Sequence, residues 1–98
     1  MAMSREQFLL LKLAEESAEV AQMCSKCIQF GLEETYRLET NIQILHKELV
    51  DVLAIISMLN TDCNFEFSPS QEAMKEKCSK VDKYYEYSVK LGKVEALV

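Results

Sequence analysis

Ile42-Gln43-Ile44-Leu45-His46-Lys47-Glu48-Leu49-Val50-Asp51-Val52-Leu53-Ala54-Ile55-Ile56-Ser57-Met58-Leu59 repeats apolar side chains at 42, 45, 49, 52, 53, 56 and 59, the spacing of a helix, and around Asp51 the run is apolar nearly all the way round. Thr40 stands where an N-cap is needed, and Gln43 completes a capping box. Upstream, Ser4 and Gln7 make a second box. It opens a helix of roughly 26 residues, about 40 Å long, through Phe8, Leu9, Leu13, Val20, Cys24, Cys27 and Ile28 to a stop at Gly31. Residues 32–39 are charged and read as a loop or a short extra turn. Downstream, residues 60–67 read as a connector. A third helix is expected to begin at Ser68, with Pro69 in its first turn and Gln71 as box partner. Its inner stripe is Met74, Cys78, Val81, Tyr85 and Ser88, and Gly92 ends it.

The fold class that follows is all-α: an antiparallel bundle of about three main helices over residues 1–98, one domain, with the core completed by oligomerisation. Two Gly and one Pro in 98 residues leave little to interrupt long helices. The net charge of −5, from eleven basic and sixteen acidic side chains, argues against a nucleic-acid partner held by a basic face. The most apolar run, residues 49–59, is too short to span a bilayer and contains Asp51, so no membrane partner is expected. The N-terminus lacks an apolar leader segment, and the four cysteines do not form a secreted disulfide pattern, which together predict a reduced, cytoplasmic protein.

Carboxylates stand where apolar packing would not put them. Glu16 with Glu19, and Glu48 with Asp51, are i, i+3 pairs, so each puts two like charges on one helix face. Asp51 is expected on a face with Ile44, Glu48, Ile55 and Met58, where an ionised carboxylate costs several kcal/mol unless paired or bound to metal. Two antiparallel helices would bring the four carboxylates together on a hard cation such as Mg²⁺, with Lys12 or Lys26 offsetting the excess negative charge. The competing reading for Glu15, Glu16 and Glu19 is a solvated acidic face. A di-iron site is set aside: it uses Glu-x-x-His pairs, and the single histidine, His46, lies two residues before Glu48.

Glu15-Glu16-x-x-Glu19, 28 intervening residues, then Glu48-x-x-Asp51, resembles the signature of the MazG-like all-α nucleoside triphosphate pyrophosphohydrolases, a superfamily that includes dimeric dUTPases and dCTP pyrophosphatases. The match covers roughly Phe8 to Leu59. Ser25-Lys26-x-x-x-Phe30-Gly31 also looks like the helix end of short, single-domain, phage-type members, although Gln29 stands where they often carry a basic residue. The resemblance implies hydrolysis of a (deoxy)nucleoside triphosphate to the monophosphate and pyrophosphate, in a homodimer or homotetramer. It implies Mg²⁺, with Mn²⁺ as a substitute, on Glu16, Glu19, Glu48 and Asp51. Glu15 would orient or deprotonate the attacking water, or help hold a further metal, and Lys26 would meet the phosphate tail. The chemistry suits these residues independently, because phosphoryl transfer needs positioned charge more than covalent help. The alternative is a non-catalytic helical module that binds nucleotide or a protein partner.

Other residues carry weaker signals. Asn60, near the expected end of the second helix, is a candidate substrate ligand or an ordinary helix-end cap. Cys24-x-x-Cys27 reads as core or surface cysteines rather than a zinc pair. Tyr85 is expected in the core, with Tyr84 and Tyr87 left open. Lys77, Lys80 and Lys83 form a solvated face or reach a phosphate.

Overall fold

The computed structural model describes residues 1–97. Its elements are helices α1 (Arg5–Phe30), α2 (Asn41–Cys63) and α3 (Gln71–Lys90), with two short strands, β1 (Thr35–Tyr36) and β2 (Glu39–Thr40), between the first two helices. The protein is all-α, as the periodicity predicts. Its contacts gather into two compact units, Met1–Phe67 and the segment from Ser68 onward.

Both expected capping boxes of the first unit form. Ser4 Oγ accepts from Gln7 N at 3.1 Å while Ser4 N donates to Gln7 Oε1 at 2.9 Å. Thr40 and Gln43 repeat the exchange at 3.2 and 2.9 Å. Each box satisfies donors that a helix start leaves without partners. The two helices are antiparallel and tied at both ends. Arg5 pairs with Asp62 at 2.9 Å, and Asn41 Nδ2 donates to Gly31 O at 2.9 Å.

Between those ties the helices meet along a seam. The buried and half-buried positions of α1 include Leu9, Leu13, Glu16, Val20, Met23 and Cys27; those of α2 include Asn41, Leu45, Glu48, Val52, Ile55 and Leu59. Both series step by four and three residues alternately, the 3.5-residue repeat of coiled-coil packing. Leu9 and Leu59 are fully enclosed. This seam corrects the expected stripes, because Phe8, Cys24 and Ile28 on α1 and Leu49 and Leu53 on α2 face outward.

Three boundaries also differ from expectation. Residues 32–39 are not simply a loop: Thr35 pairs with Thr40 and Tyr36 with Glu39 in an antiparallel hairpin. The second helix runs on to Cys63, so residues 60–63 are helical, and Asn64 closes the helix in the left-handed conformation at φ 52°. The third helix starts at Gln71, capped by Ser70, whose Oγ accepts from Ala73 N at 3.1 Å; the box expected from Ser68 and Gln71 does not form. Ser70 wins because it stands three residues before a free helix N–H, with Pro69 outside the helix. At its other end, Gly92 takes φ 73°, where a glycine has no Cβ to clash.

In the second unit, α3 buries none of its residues. Its expected inner stripe is exposed at Met74, Cys78 and Val81 and half-buried at Tyr85 and Ser88. Tyr85 donates its hydroxyl to Glu95 O at 2.6 Å. Tyr84, Tyr87, Lys77, Lys80 and Lys83 are exposed. Among the described residues no helix is long and apolar enough to cross a membrane.

Candidate metal centre and cleft

The seam between α1 and α2 should be apolar throughout, yet its third position on each helix is a glutamate, Glu16 on one side and Glu48 on the other. Glu19, one turn beyond Glu16, joins them. One carboxylate oxygen from each of Glu16, Glu19 and Glu48 lies within 4.8 Å of the others. Glu16 and Glu48 are half-buried, and one oxygen of each, Oε2 in both cases, is shut away from water with no hydrogen-bond partner. Glu19 is exposed, and its carboxylate neighbours both.

Like charges so arranged resist ionisation. Burial, then the neighbouring Glu19 carboxyl, then the charges of Asp51 and Glu15, raise the Glu16 carboxyl above the ordinary carboxylate value. Glu48 is raised by burial first, then by the neighbouring Glu19 carboxyl, then by the charges of Asp51 and Glu16. A buried oxygen without a donor is an acceptor awaiting a cation or a proton. The oxygen-only donor set suits a hard divalent ion such as Mg²⁺.

Asp51 departs from expectation. It is exposed, on the flank of the seam rather than in it, because α1 covers only one side of an α2 surface that is apolar nearly all round. Its charge acts on both Glu16 and Glu48, although it stands outside the close group of three. Glu15 is also exposed, and its Oε2 is held by Lys12 at 3.1 Å. The Lys12 ammonium lies 5.4 Å from the centre of the Phe8 ring.

A cleft of about 770 Å³ opens beside this cluster, and Glu19 and Glu48 form part of its wall. Its size is that of a small-molecule site. Lys26 also lines it, two helical turns beyond Glu19 on the same face of α1. Asn60 does not line it. Its amide is taken up by the chain itself, donating to Phe67 O and accepting from Phe67 N, both at 2.9 Å, so it fastens the residues after α2. Twelve residues of helix separate Asn60 from Glu48, a rise of about 18 Å. His46 is exposed, Cys27 is buried and Cys24 exposed, all four cysteines are free thiols, and none of these residues joins the cluster.

Sequence reasoning missed the cleft's other wall. Tyr36 and Arg37, from the hairpin, line it together with Phe30 and Met23 from α1. The only hint in the sequence is an aromatic and a basic residue side by side in a segment otherwise rich in acids. No protein family, curated protein or solved structure compared with the chain matches it.

Proposed function

We propose that the protein is a Mg²⁺-dependent nucleoside triphosphate pyrophosphohydrolase that works as a homo-oligomer. The observation that carries this reading is the pair of glutamates in the helix seam, Glu16 and Glu48, each with a buried oxygen that has no donor, converging with Glu19 beside a cleft of nucleotide size. An apolar pair would stabilise the seam better, so these acids answer to a demand other than folding.

Glu16, Glu19 and Glu48 would hold the ion, with Asp51 adding negative charge from the flank. When bound, the ion neutralises these carboxylates and draws charge from phosphate oxygens. The Lys26 ammonium would balance the phosphate tail. Glu15, next to Glu16 in sequence and exposed, would orient or take a proton from the water that cleaves the α–β phosphoanhydride, releasing a monophosphate and pyrophosphate. Lys12 Nζ, 3.1 Å from Glu15 Oε2, would fix the direction in which that carboxylate points. Homo-oligomer formation is supported by the apolar side chains that the chain leaves exposed on α2, Leu49, Val50 and Leu53 among them.

The test is a hydrolysis screen with the common ribo- and deoxyribonucleoside triphosphates in Mg²⁺, following monophosphate and pyrophosphate together. Pyrophosphate release that disappears in Glu19→Gln and Asp51→Asn supports the reading and names the base. Orthophosphate with a diphosphate would mean that a different bond is cut. No turnover by a protein that still binds Mg²⁺ would favour a binding module over an enzyme.

A further inference from the structure

The hairpin between α1 and α2 is built at a conformational cost. Its two turn residues, Arg37 and Leu38, both have positive φ, 51° and 74°, where two-residue hairpin turns favour Asn and Gly. Side chains with a Cβ are strained there, and such strain persists only where the surroundings hold it. Here they do. Asn41 N donates to Glu34 O at 2.9 Å, Ile42 N donates to Leu32 O at 3.0 Å, and Lys47 grips Glu39 at 2.6 Å. The turn is thus fixed to the start of α2 from both sides.

What the turn presents is Arg37. Its guanidinium carbon lies 5.3 Å from the centre of the Tyr36 ring, and both residues line the cleft that holds Glu19, Glu48 and Lys26. A guanidinium seated on an aromatic face keeps its N–H fork free for a planar or tetrahedral anion. Among the described residues neither Arg37 nor Lys26 is ion-paired. Of the acids lining the cleft, Glu39 is neutralised by Lys47 and Glu34 is not. The cleft therefore combines a carboxylate group that suits a metal with two unengaged cations, one on the helix and one on the turn.

We propose that Arg37, seated on Tyr36 by the strained turn, is a polyphosphate ligand of this cleft and acts with Lys26 on phosphate oxygens of a metal-complexed polyphosphate. A planar fork binds phosphate in a bidentate way that a lysine does not reproduce. The proposal rests on the metal-site reading above and adds to it a residue outside the two helices.

The probe is inorganic tripolyphosphate, which carries no base or sugar, titrated calorimetrically into the full chain with Mg²⁺ present. Mg²⁺ alone is titrated in parallel. Arg37→Ala should weaken tripolyphosphate binding about tenfold or more while leaving Mg²⁺ binding unchanged. Arg37→Lys, which keeps the charge and loses the fork, should fall between the two. Tyr36→Leu should also weaken binding by removing the seat. Wild-type affinity for tripolyphosphate in Arg37→Ala, with Mg²⁺ binding intact, overturns the role of Arg37 and leaves the metal site standing. A wild-type protein that binds Mg²⁺ but not tripolyphosphate overturns the polyphosphate cleft. One that binds neither overturns the metal site as well. Should Arg37→Ala fail to fold, Arg37→Lys decides: affinity equal to wild type rejects the fork.

Discussion

Glu16 and Glu48 link the stability of the protein to pH in a direction opposite to that of most carboxylates. Both are raised above the ordinary value of 4.5 by burial and by neighbouring acids. Between that value and their higher folded values, the unfolded chain has released these protons and the folded chain still holds them. Stability therefore falls as pH rises through that window and levels off above it. Melting temperature measured in chelator should decline from pH 4.5 upward, and Glu48→Gln should flatten the decline. Parallel curves for wild type and variant would show that the seam glutamates are not the source. Mg²⁺ should act in the opposite sense, since it binds the ionised form. At a hundredfold excess over its dissociation constant it contributes about 2.7 kcal/mol, or roughly 10–20 °C for a chain of this size. Glu19→Gln should remove most of that gain, and an unchanged gain would exclude Glu19 as a ligand. The acids themselves were legible in the sequence, because i, i+3 spacing fixes which of them share a face. Which of them would be buried was not. Asp51, surrounded by apolar residues in sequence, lies on the flank, whereas Glu16, in a charged run, lies in the seam. The distinction depends on how much of each helix the other covers, and one helix's periodicity does not contain that information.

At the scale of elements, the starts of α1 and α2 could be read directly from side-chain chemistry, since Ser4 with Gln7 and Thr40 with Gln43 supply the donors and acceptors that a helix start lacks. The hairpin could not. Tyr36-Arg37-Leu38-Glu39 contains neither Asn nor Gly and is too short to show alternation, so the signals that announce a two-residue turn are missing. The structure forms the turn through long-range ties to Asn41, Ile42 and Lys47 rather than through local preference. The same reasoning yields a stability prediction. Leu38→Gly should relieve a left-handed conformation and stabilise the protein by about 1 kcal/mol, read as a higher urea midpoint at unchanged slope. An unchanged or lower midpoint would mean that the Leu38 side chain contributes more than its backbone costs. A gain in stability would show that the natural residue is retained against folding preference, as expected of a turn that serves the cleft.

For the molecule as a whole, the seam accounts for little of the apolar surface. Leu9 and Leu59 are the fully enclosed side chains, and α3 buries none of its residues among those described. Val50 and Leu53 are 61% and 65% exposed, and with Leu49 they make an apolar band on the side of α2 turned away from α1. That band explains why the expected stripe of α2 included residues that the seam leaves out: the helix is apolar on more than one side, and α1 covers one of them. A helix apolar nearly all round is normally buried nearly all round. The predicted outcome is a homo-oligomer, in which a second copy covers this band. Its melting temperature should rise with protein concentration, because association is coupled to folding. Leu53→Asp places an unpaired charge in that contact; it should shift the sedimenting species to lower mass and lower the melting temperature, while Lys77→Ala, on the exposed face of α3, should do neither. Concentration-independent melting, with a monomer at every concentration and for both proteins, would refute the prediction. The exposed band would then have to be tolerated in solution, and the Glu16–Glu48 seam would have to hold its acids with no support from a neighbouring subunit.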